Sequence, residues 1–390
     1  MYVTRPLSMY LRDPSALSLS PPEGPSSGIL VIQDDDAEPT CCFGLVKSTS
    51  YIKALPFPQN KSLTVLFPDG DYTECTRVLF IPVLDRPLSS KQYHVIQRKW
   101  KHKGKAYINS KIKEGVKTSR SFTRKFCLEP QSLDPRNIYQ RFEIRQRKSG
   151  GFVAKSVASD GLPPEFLRRD GWELAASTPK EFHLNEAPGL NTALRACLPD
   201  FNFPLSQNRS EAVKVGKWYC PFMFIKEGTI FEEVQMRYSS YYEMTLEQQW
   251  EQIFACESMY NADSNTVSVD VAVECQVIKI AGTEAVHDQK IVADGVMWFR
   301  SVSEVAREIN VGMGLEICER MRWEEERVGW AGGSERQVSV QRAEEFDGEG
   351  EWTKFGCYVL VERFALKRMD ESVVLTFDFR HAHQIRSKWE

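Results

Sequence analysis

The chain has 390 residues, of which 42% are apolar and 26% charged, and its net charge at pH 7 is −3. This composition is typical of a globular protein, and the length is enough for two domains of common size. The sequence predicts neither a secretory signal, because no apolar core follows the N-terminus, nor a transmembrane helix, because no window approaches the required apolar length. We therefore expect a cytoplasmic or nuclear protein whose ten cysteines are reduced thiols.

The chain begins with a segment rich in proline, serine and glycine. We expect residues 1–27 to form an irregular leader, held in place by apolar residues such as Tyr2, Val3 and Tyr10. Short apolar runs then predict strands at 29–33, 41–46, 63–67, 78–84, 140–148 and 152–158. The run at 78–84 is apolar almost throughout, which indicates burial on both faces. We assign residues 28–205 to an N-terminal β-rich lobe, with its boundary in the proline-bearing segment 198–210.

A strongly basic segment interrupts this lobe. Residues 91–148 contain 17 Lys and Arg against four Asp and Glu. If the strand that begins at residue 93 kept its two-residue period, one face would carry the lysines while Trp100 packed on the other face. The residues that we expect to bind an anion or a partner are Lys99, Lys101, Lys103, Lys105, Lys111 and Lys113. A solvated edge, or attraction to acidic parts of the same chain, is the alternative.

The second half, residues 206–390, reads as a C-terminal α+β lobe. Strict alternation of apolar and polar residues predicts a strand at 234–244. A capping box formed by Thr245 and Gln248 predicts a helix from residue 245 to about residue 254. Alternation returns at 267–277, and a strand at 295–299 leads to a second capping box, Ser301 and Glu304, with a helix through Ile309.

The remaining elements complete the predicted fold class. A helix is predicted at 315–328 with an acidic run at 324–326, then an acidic mobile loop at 331–350, and finally a long hairpin of strands 355–366 and 373–385. Strands interspersed with a few amphipathic helices, without a regular βαβ alternation, indicate an α+β fold with mostly antiparallel sheets in two lobes.

Motifs for common chemistries are missing from the sequence. It contains no phosphate-binding glycine loop, no paired Cys and His spacing for zinc and no G-x-S-x-G elbow. We therefore predict no catalytic residue, no metal and no cofactor. The best polar pair is His381 and His383, which would share one face of the last strand. The alternative is structural: the last strand leaves the core at this point, and its residues become polar for that reason.

Eight stretches in order along the chain carry a family resemblance: MYVTRPLSMYLRDPSALS, GILVIQDDDAEPTCCFGL, LPFPQNKSLTV, RVLFIPVLDRPLSSKQYHVI, PPEFLRRDGWEL, KWYCPFMFIKEG, YYEMTLEQQWEQIF and ERMRWEEERVGW. Together they resemble the plant family known as domain of unknown function 1262. The resemblance implies a plant protein with no established activity, and it assigns no functional residue to this sequence.

Three functional hypotheses follow. We expect a non-enzymatic intracellular protein that binds a partner, either a protein or an anionic ligand, with stress or defence as one candidate setting. The alternatives are an enzyme whose site is assembled between the lobes and an RNA or anionic-membrane binder that uses the basic segment, with nucleic acid not favoured. A deep pocket in which several ionisable groups with shifted pKa values converge would favour the enzyme over the binder.

Overall fold

The computed structural model describes residues 1–22, 24–37, 50–69, 72–111, 128–228, 230–258, 265–293, 295–302, 308–331 and 337–390. In the N-terminal half the strands are β1 Tyr2–Pro6, β2 Gly28–Ile32, β3 Ser50–Ile52, β4 Ser62–Asp69, β5 Tyr72–Pro82, β6 Gln92–Gln97, β7 Ser110–Lys111, β8 Phe142–Gln146, β9 Phe152–Ser156, β10 Gly161–Leu162, β11 Glu173–Ser177 and β12 Gly189–Leu190.

The later strands are β13 Val213–Pro221, β14 Ile225–Glu227, β15 Tyr241–Glu257, β16 Thr266–Glu274, β17 Gln276–Ile280, β18 Thr283–Ala293, β19 Val296–Val302, β20 Glu308–Gly314, β21 Gln337–Glu345, β22 Lys354–Lys367 and β23 Val373–Trp389. The α-helices are α1 Leu7–Arg12, α2 Glu165–Arg168, α3 Thr192–Cys197, α4 Glu232–Tyr238 and α5 Leu315–Glu326. None of these helices is long and apolar enough to cross a membrane.

Two sheets dominate the fold. The larger has the order β14-β20-β19-β18-β17-β23-β22-β15-β13-β1-β2, with β12 paired to β13, and the smaller has the order β3-β11-β4-β5-β6-β8-β9. Strands β7 and β10 form one short ladder, and β16 and β21 form another. Strand β1 is parallel to β2, whereas the other ladders are antiparallel. The predicted β-rich, mostly antiparallel fold with a few helices is confirmed.

Strand β5 is buried on both faces from Val78 onwards, which explains the apolar run at 78–84. Val78 and Phe80 of β5 point into an aromatic core, and Leu79 and Ile81 point into a core shared with the larger sheet. Successive strand residues point to opposite faces, so a strand packed on both sides must be apolar throughout. The shared core contains residues from both predicted lobes, so the division into 28–205 and 206–390 remains a prediction.

The N-terminal segment is more regular than we expected. Residues 1–27 contain β1 and α1, and β1 lies in the larger sheet between β13 and β2. The Tyr2 side chain is fully buried, and its hydroxyl donates to the Pro82 carbonyl at 2.8 Å. Burial of Tyr2 and Val3 and the backbone pairing of β1 outweigh the local preference of a Pro- and Ser-rich sequence for irregular structure.

The predicted order of strand and helix around residue 240 is wrong. Residues 232–238 form α4, and the predicted helix at 245–254 is the middle of the 17-residue strand β15. Leu246, Gln248 and Trp250 also fit a two-residue period, and all three side chains are buried on pairing with β13 and β22. Ladder bonds on both edges and this burial outweigh a local capping signal.

Two further predictions fail for the same reason. Ile309, expected in a helix after the Ser301 and Glu304 box, lies in β20, while Glu304 is outside the described residues. Within the expected mobile loop, residues 337–345 form β21, which pairs with β16 residue by residue. Val340 is buried opposite Val271, so a polar and acidic strand is stabilised by one apolar face. The predicted helix α5 and the closing hairpin of β22 and β23 are both present.

Candidate functional site

A cavity of about 390 Å³ lies between α3, the end of α5 and the strands β15, β22 and β23. This volume is in the range of small-molecule sites. The lining residues are Thr192, Arg195, Ala196, Leu198, Gln248, Arg327, Val328, Leu360, Glu362, His381, His383 and Gln384. The polar members come from five separate parts of the chain, so the site exists only in the folded protein.

An irregularity in the closing hairpin shapes one wall of the cavity. His381 pairs with Leu360 and Ile385 pairs with Val359, so residues 382–384 are inserted between two consecutive pairs. Extra residues in one strand bend it and redirect its side chains. The insertion places His383 and Gln384 in the cavity wall beside His381.

Arg195 is the central cation of the site. It lies in α3, whose N-terminus is capped by the Asn191 side chain, and it is only 6% exposed. Its guanidinium forms two hydrogen bonds to the Glu362 carboxylate, with Nε to Oε1 at 2.8 Å and Nη2 to Oε2. Nη2 also donates to Glu325 Oε1 at 3.1 Å, and Nη1 donates to the Glu324 carbonyl at 3.2 Å. One arginine therefore joins α3, α5 and β22.

His381 lies between the same two carboxylates. Its Nε2 is 3.0 Å from Glu325 Oε2 and 3.1 Å from Glu362 Oε2, and the ring is 2% exposed. Burial alone would lower the pKa of His381, but the hydrogen bonds to the two carboxylates outweigh it and raise the pKa to about 9. His381 is therefore protonated at neutral pH.

The two carboxylates respond oppositely to this environment. Burial raises the pKa of Glu325 above its ordinary range, and the nearby Glu362 charge acts in the same direction. For Glu362, burial is outweighed by hydrogen bonds from Arg195 and His381, which lower its pKa. Glu362 is thus the anion of the site, and the Glu325 and Glu362 carboxyls titrate as a coupled pair in which Glu325 holds the proton more readily.

Gln248 adds a polar group that the protein itself does not satisfy. Its Nε2 donates to Glu362 Oε1 at 2.8 Å, while its Oε1 is buried without a hydrogen-bond partner among the described residues. A buried acceptor without a partner costs free energy of folding. A hydrogen-bond donor supplied by a bound molecule would remove that cost.

A second set of charges lies behind the cavity on α5. Glu324 is fully buried and accepts hydrogen bonds from Arg320 at 2.5 Å and from Arg327 Nε at 2.7 Å. Among the described residues the Arg327 side chain donates only through Nε, and it is 32% exposed in the cavity wall. Arginine carries five N–H donors. Arg327 can therefore donate further hydrogen bonds to a molecule in the cavity.

A metal ion fits this donor set poorly. Ligand atoms of Glu325, Glu362 and His381 lie within 4.8 Å of one another, which is close enough for a shared cation. The same carboxylates, however, accept hydrogen bonds from Arg195, and His381 retains its proton at neutral pH. An entering cation would have to displace both positive charges. We therefore propose no metal at this position.

The structure brings both predicted histidines to this cavity. The His381 and His383 ring centroids are 5.4 Å apart. Burial, followed by the charge of His381, lowers the pKa of His383, so this second ring is neutral. Arg195 and Glu362 carry no local sequence signal and were not predicted, and Gln248 stood out only as part of a predicted capping box. It noted Glu324 and Glu325 only as part of an acidic run, although both are buried.

The basic segment does not form the predicted lysine face. Residues 98–105 form turns after β6, and Trp100 is 79% exposed instead of packed. Lys101 lies 3.8 Å from Glu129, and the Lys111 ammonium lies 4.9 Å from the Tyr139 ring centroid. The positive φ of Trp100 ends the alternation on which the prediction rested. Lys113 is outside the described residues, and anion binding by these lysines remains a prediction.

The raised pKa of His381 predicts how stability changes with pH. The folded state holds the proton up to about pH 9, whereas an unfolded histidine releases it near pH 6.5. The charge of His381 therefore contributes roughly 3 kcal/mol to the free energy of unfolding. This contribution is complete below the unfolded pKa and is lost as the pH rises through 9. We expect the free energy of unfolding of the wild type to fall towards that of His381→Gln between pH 6.5 and 10.

Chemical denaturation at a series of pH values measures this difference. His183 is exposed, so His183→Gln is the matched control, and its curve should run parallel to the wild-type curve. A constant difference between the wild type and His381→Gln over this pH range would contradict the assigned charge of His381.

Comparison with known families gives one match, over part of the chain. Residues 23–119 match a family described as Protein of unknown function (DUF1262). The DUF1262 match supports the resemblance found in the sequence and covers β2 to β7 and the turns at 98–105, but it does not reach the cavity. The predicted plant origin remains a prediction.

Curated proteins and solved structures give one further similarity. No curated protein matches the chain. Among solved structures, the one titled crystal structure of Cry35Ab1 is similar to it, with a TM-score of 0.44, 12% identity, and coverage of 85% of this chain and 90% of that chain.

Proposed function

We propose that the protein binds a small anionic molecule in the cavity between α3, α5 and the β15–β22–β23 part of the larger sheet. The observation that carries the proposal is the charge of the lining. Arg195, Arg327 and a protonated His381 line the cavity against one carboxylate, Glu362. Positive charge that is removed from water attracts an anion more strongly than the same charge on an open surface.

The other lining groups suit a molecule with a polar and an apolar side. Thr192, Gln248 and Gln384 offer hydrogen-bonding groups, while Leu198 and Leu360 offer apolar surface. Such a mixture of apolar walls and a few convergent polar groups is typical of small-molecule sites. Small carboxylates and phosphates share the chemistry that this lining would recognise.

Calorimetric titration with a panel of small molecules tests the proposal. The panel contains dicarboxylates, inorganic phosphate and simple phosphate esters, with a neutral polyol and a diamine as comparisons. We expect at least one anion to bind, and we expect no binding of the polyol or the diamine. Arg327→Gln should weaken binding by tenfold or more, because it removes charge-assisted hydrogen bonds worth roughly 1.5–3 kcal/mol.

Arg322→Gln is the matched control, because Arg322 is an exposed residue of α5, five positions before Arg327, and does not line the cavity. It should bind the anion as the wild type does. Equal affinity of the wild type and Arg327→Gln, or equal response to the anions and the polyol, would contradict anion binding in this cavity.

An enzyme is the second candidate, and the hydrogen-bonded groups His381 and Glu325 favour it. Both groups have pKa values raised towards or above neutrality and lie at or just behind the cavity wall, as a general acid requires. A purely structural role is the alternative for the same hydrogen bond. Mass spectrometry after prolonged incubation with the anion that binds distinguishes the enzymatic role from the structural one. If the protein is an enzyme, the wild type converts the anion and the His381→Gln variant does not.

A further inference from the structure

Helix α4 exposes an apolar face to solvent. Phe231, Val234 and Tyr238 are 80%, 40% and 68% exposed, and their spacing places them on one side of the helix. Ile230, just before the helix, is 45% exposed. The opposite side of the helix carries the buried Met236, and the buried Gln235 next to it donates through Nε2 to the Ile225 carbonyl at 2.7 Å. The apolar face is therefore held rigidly outward, and folding within the described chain does not cover it.

The turns at 98–105 lie against the beginning of this helix. A Cβ atom added to Gly104 would lie 2.9 Å from the Glu232 carbonyl oxygen, so the two backbones are in direct contact. Trp100, in the same turns, has a φ of 73° and is 79% exposed. The exposed indole lies four residues before the Gly104–Glu232 contact in the chain, and we group it with the exposed aromatic side chains of α4. We call this surface the aromatic-basic face: Trp100, Phe231, Val234 and Tyr238 with Lys99, Lys101, Lys103 and Arg237.

Positive charge exceeds negative charge around these apolar groups. Lys99, Lys101 and Arg237 are exposed, and burial together with the charges of Arg237 and Arg98 lowers the pKa of Lys103. The neighbouring acids are partly engaged: Glu181 pairs with Arg98, Glu129 lies 3.8 Å from Lys101, and Glu232 pairs with Lys226. Glu233 is the remaining exposed carboxylate of α4.

We propose that the aromatic-basic face docks on the surface of an anionic membrane. Tryptophan, tyrosine and phenylalanine insert at the level of the lipid headgroups, and lysines attract acidic lipids over the distance of a Debye length. Val234 and Ile230 add aliphatic surface, which enters the headgroup and acyl boundary but cannot stack on nucleic-acid bases. The aliphatic part therefore favours a membrane over RNA as the anionic surface.

Co-sedimentation of the full chain with lipid vesicles tests the proposal. We expect binding to vesicles that contain phosphatidylserine, little binding to pure phosphatidylcholine and a decline of binding as salt is raised. Replacing Lys99 and Lys101 with serine should weaken binding about fivefold for each lysine. The double substitution Trp100→Ser and Phe231→Ser should weaken it roughly tenfold or more, because it removes the apolar groups that insert.

Tyr72→Ser is the matched control, since Tyr72 is 81% exposed on β5 and is not part of the face. It should bind vesicles as the wild type does, and unfolding curves should show that every variant folds. Unchanged vesicle binding by the double aromatic variant would overturn the proposal. So would absence of vesicle binding together with single-stranded RNA binding that the same variants abolish.

Discussion

Arg195→Met is expected to lower the free energy of unfolding by about 3–5 kcal/mol. The substitution keeps the apolar part of the side chain but removes the guanidinium that donates to Glu362, Glu325 and the Glu324 carbonyl. Among the described residues, Glu362 would then remain buried with His381, Gln248 and the Glu325 carboxyl as its hydrogen-bond partners. Most of the cost is the burial of a carboxylate that has lost its counter-charge, not the intrinsic strength of the ion pair.

Urea denaturation of the wild type and the variant measures this effect. Arg145→Met is the matched control: the Arg145 side chain is 47% exposed and pairs with Glu143 at 2.6 Å, and loss of an exposed pair costs about 1 kcal/mol or less. Adding Glu362→Gln to Arg195→Met should recover part of the lost stability, because it removes the unpaired anion. Equal effects of Arg195→Met and Arg145→Met would show that the buried network does not contribute as we infer.

Trp172→Ala is expected to lower the free energy of unfolding by about 3–5 kcal/mol. Urea denaturation measures this effect too. Trp172 is fully buried in the aromatic core of the smaller sheet, with its ring stacked on Phe80 at a centroid distance of 6.1 Å and tilted against Phe152 at 5.1 Å. Its Nε1 donates to the Leu167 carbonyl at 2.9 Å, which ties α2 to this core. Alanine would leave a cavity and one unpaired buried carbonyl.

Trp100→Ala tests whether the loss of stability comes from the burial of a tryptophan or from the residue type alone. Trp100 is 79% exposed, so its removal should change stability by no more than about 0.5 kcal/mol. The two-residue period in the sequence predicts that Trp100 packs on the buried side of a basic strand, and a large loss of stability in Trp100→Ala would support that prediction against the structure. A small loss in Trp172→Ala would contradict the packing of the aromatic core.

The closing hairpin and α5 show what local patterns predict well. Strands β22 and β23 carry long apolar and β-branched runs around a short polar turn, and α5 has helical spacing throughout. In these elements the local preference and the tertiary contacts agree. Around residue 240 they disagree, because the Thr245 and Gln248 capping signal is local, whereas the pairing of β15 with β13 and β22 joins residues far apart in sequence.

The candidate site depends on tertiary contacts even more strongly. His381 and His383 stand out in sequence because they are close together on one strand. The partners that make His381 a buried cation, Glu325 and Glu362, are 56 and 19 positions away along the chain, and Arg195 is more distant still. Charged residues in a sequence look solvated unless burial is known, and burial depends on how the sheets and helices pack.

The amino-acid sequence by itself determined the β-rich class, about half of the strands in the N-terminal half, α5, the closing hairpin and one histidine pair; the strand predicted at 41–46 lies outside the described residues. These features depend on periodicity, which is local and follows directly from side-chain direction. The tertiary structure alone decided that 241–257 is a strand, that the lysines at 98–105 lie in turns beside α4, and that Arg195, Glu325, Glu362 and His381 converge. Each depends on contacts between distant segments, whose free energy of packing and charge pairing exceeds the local preferences of the residues involved.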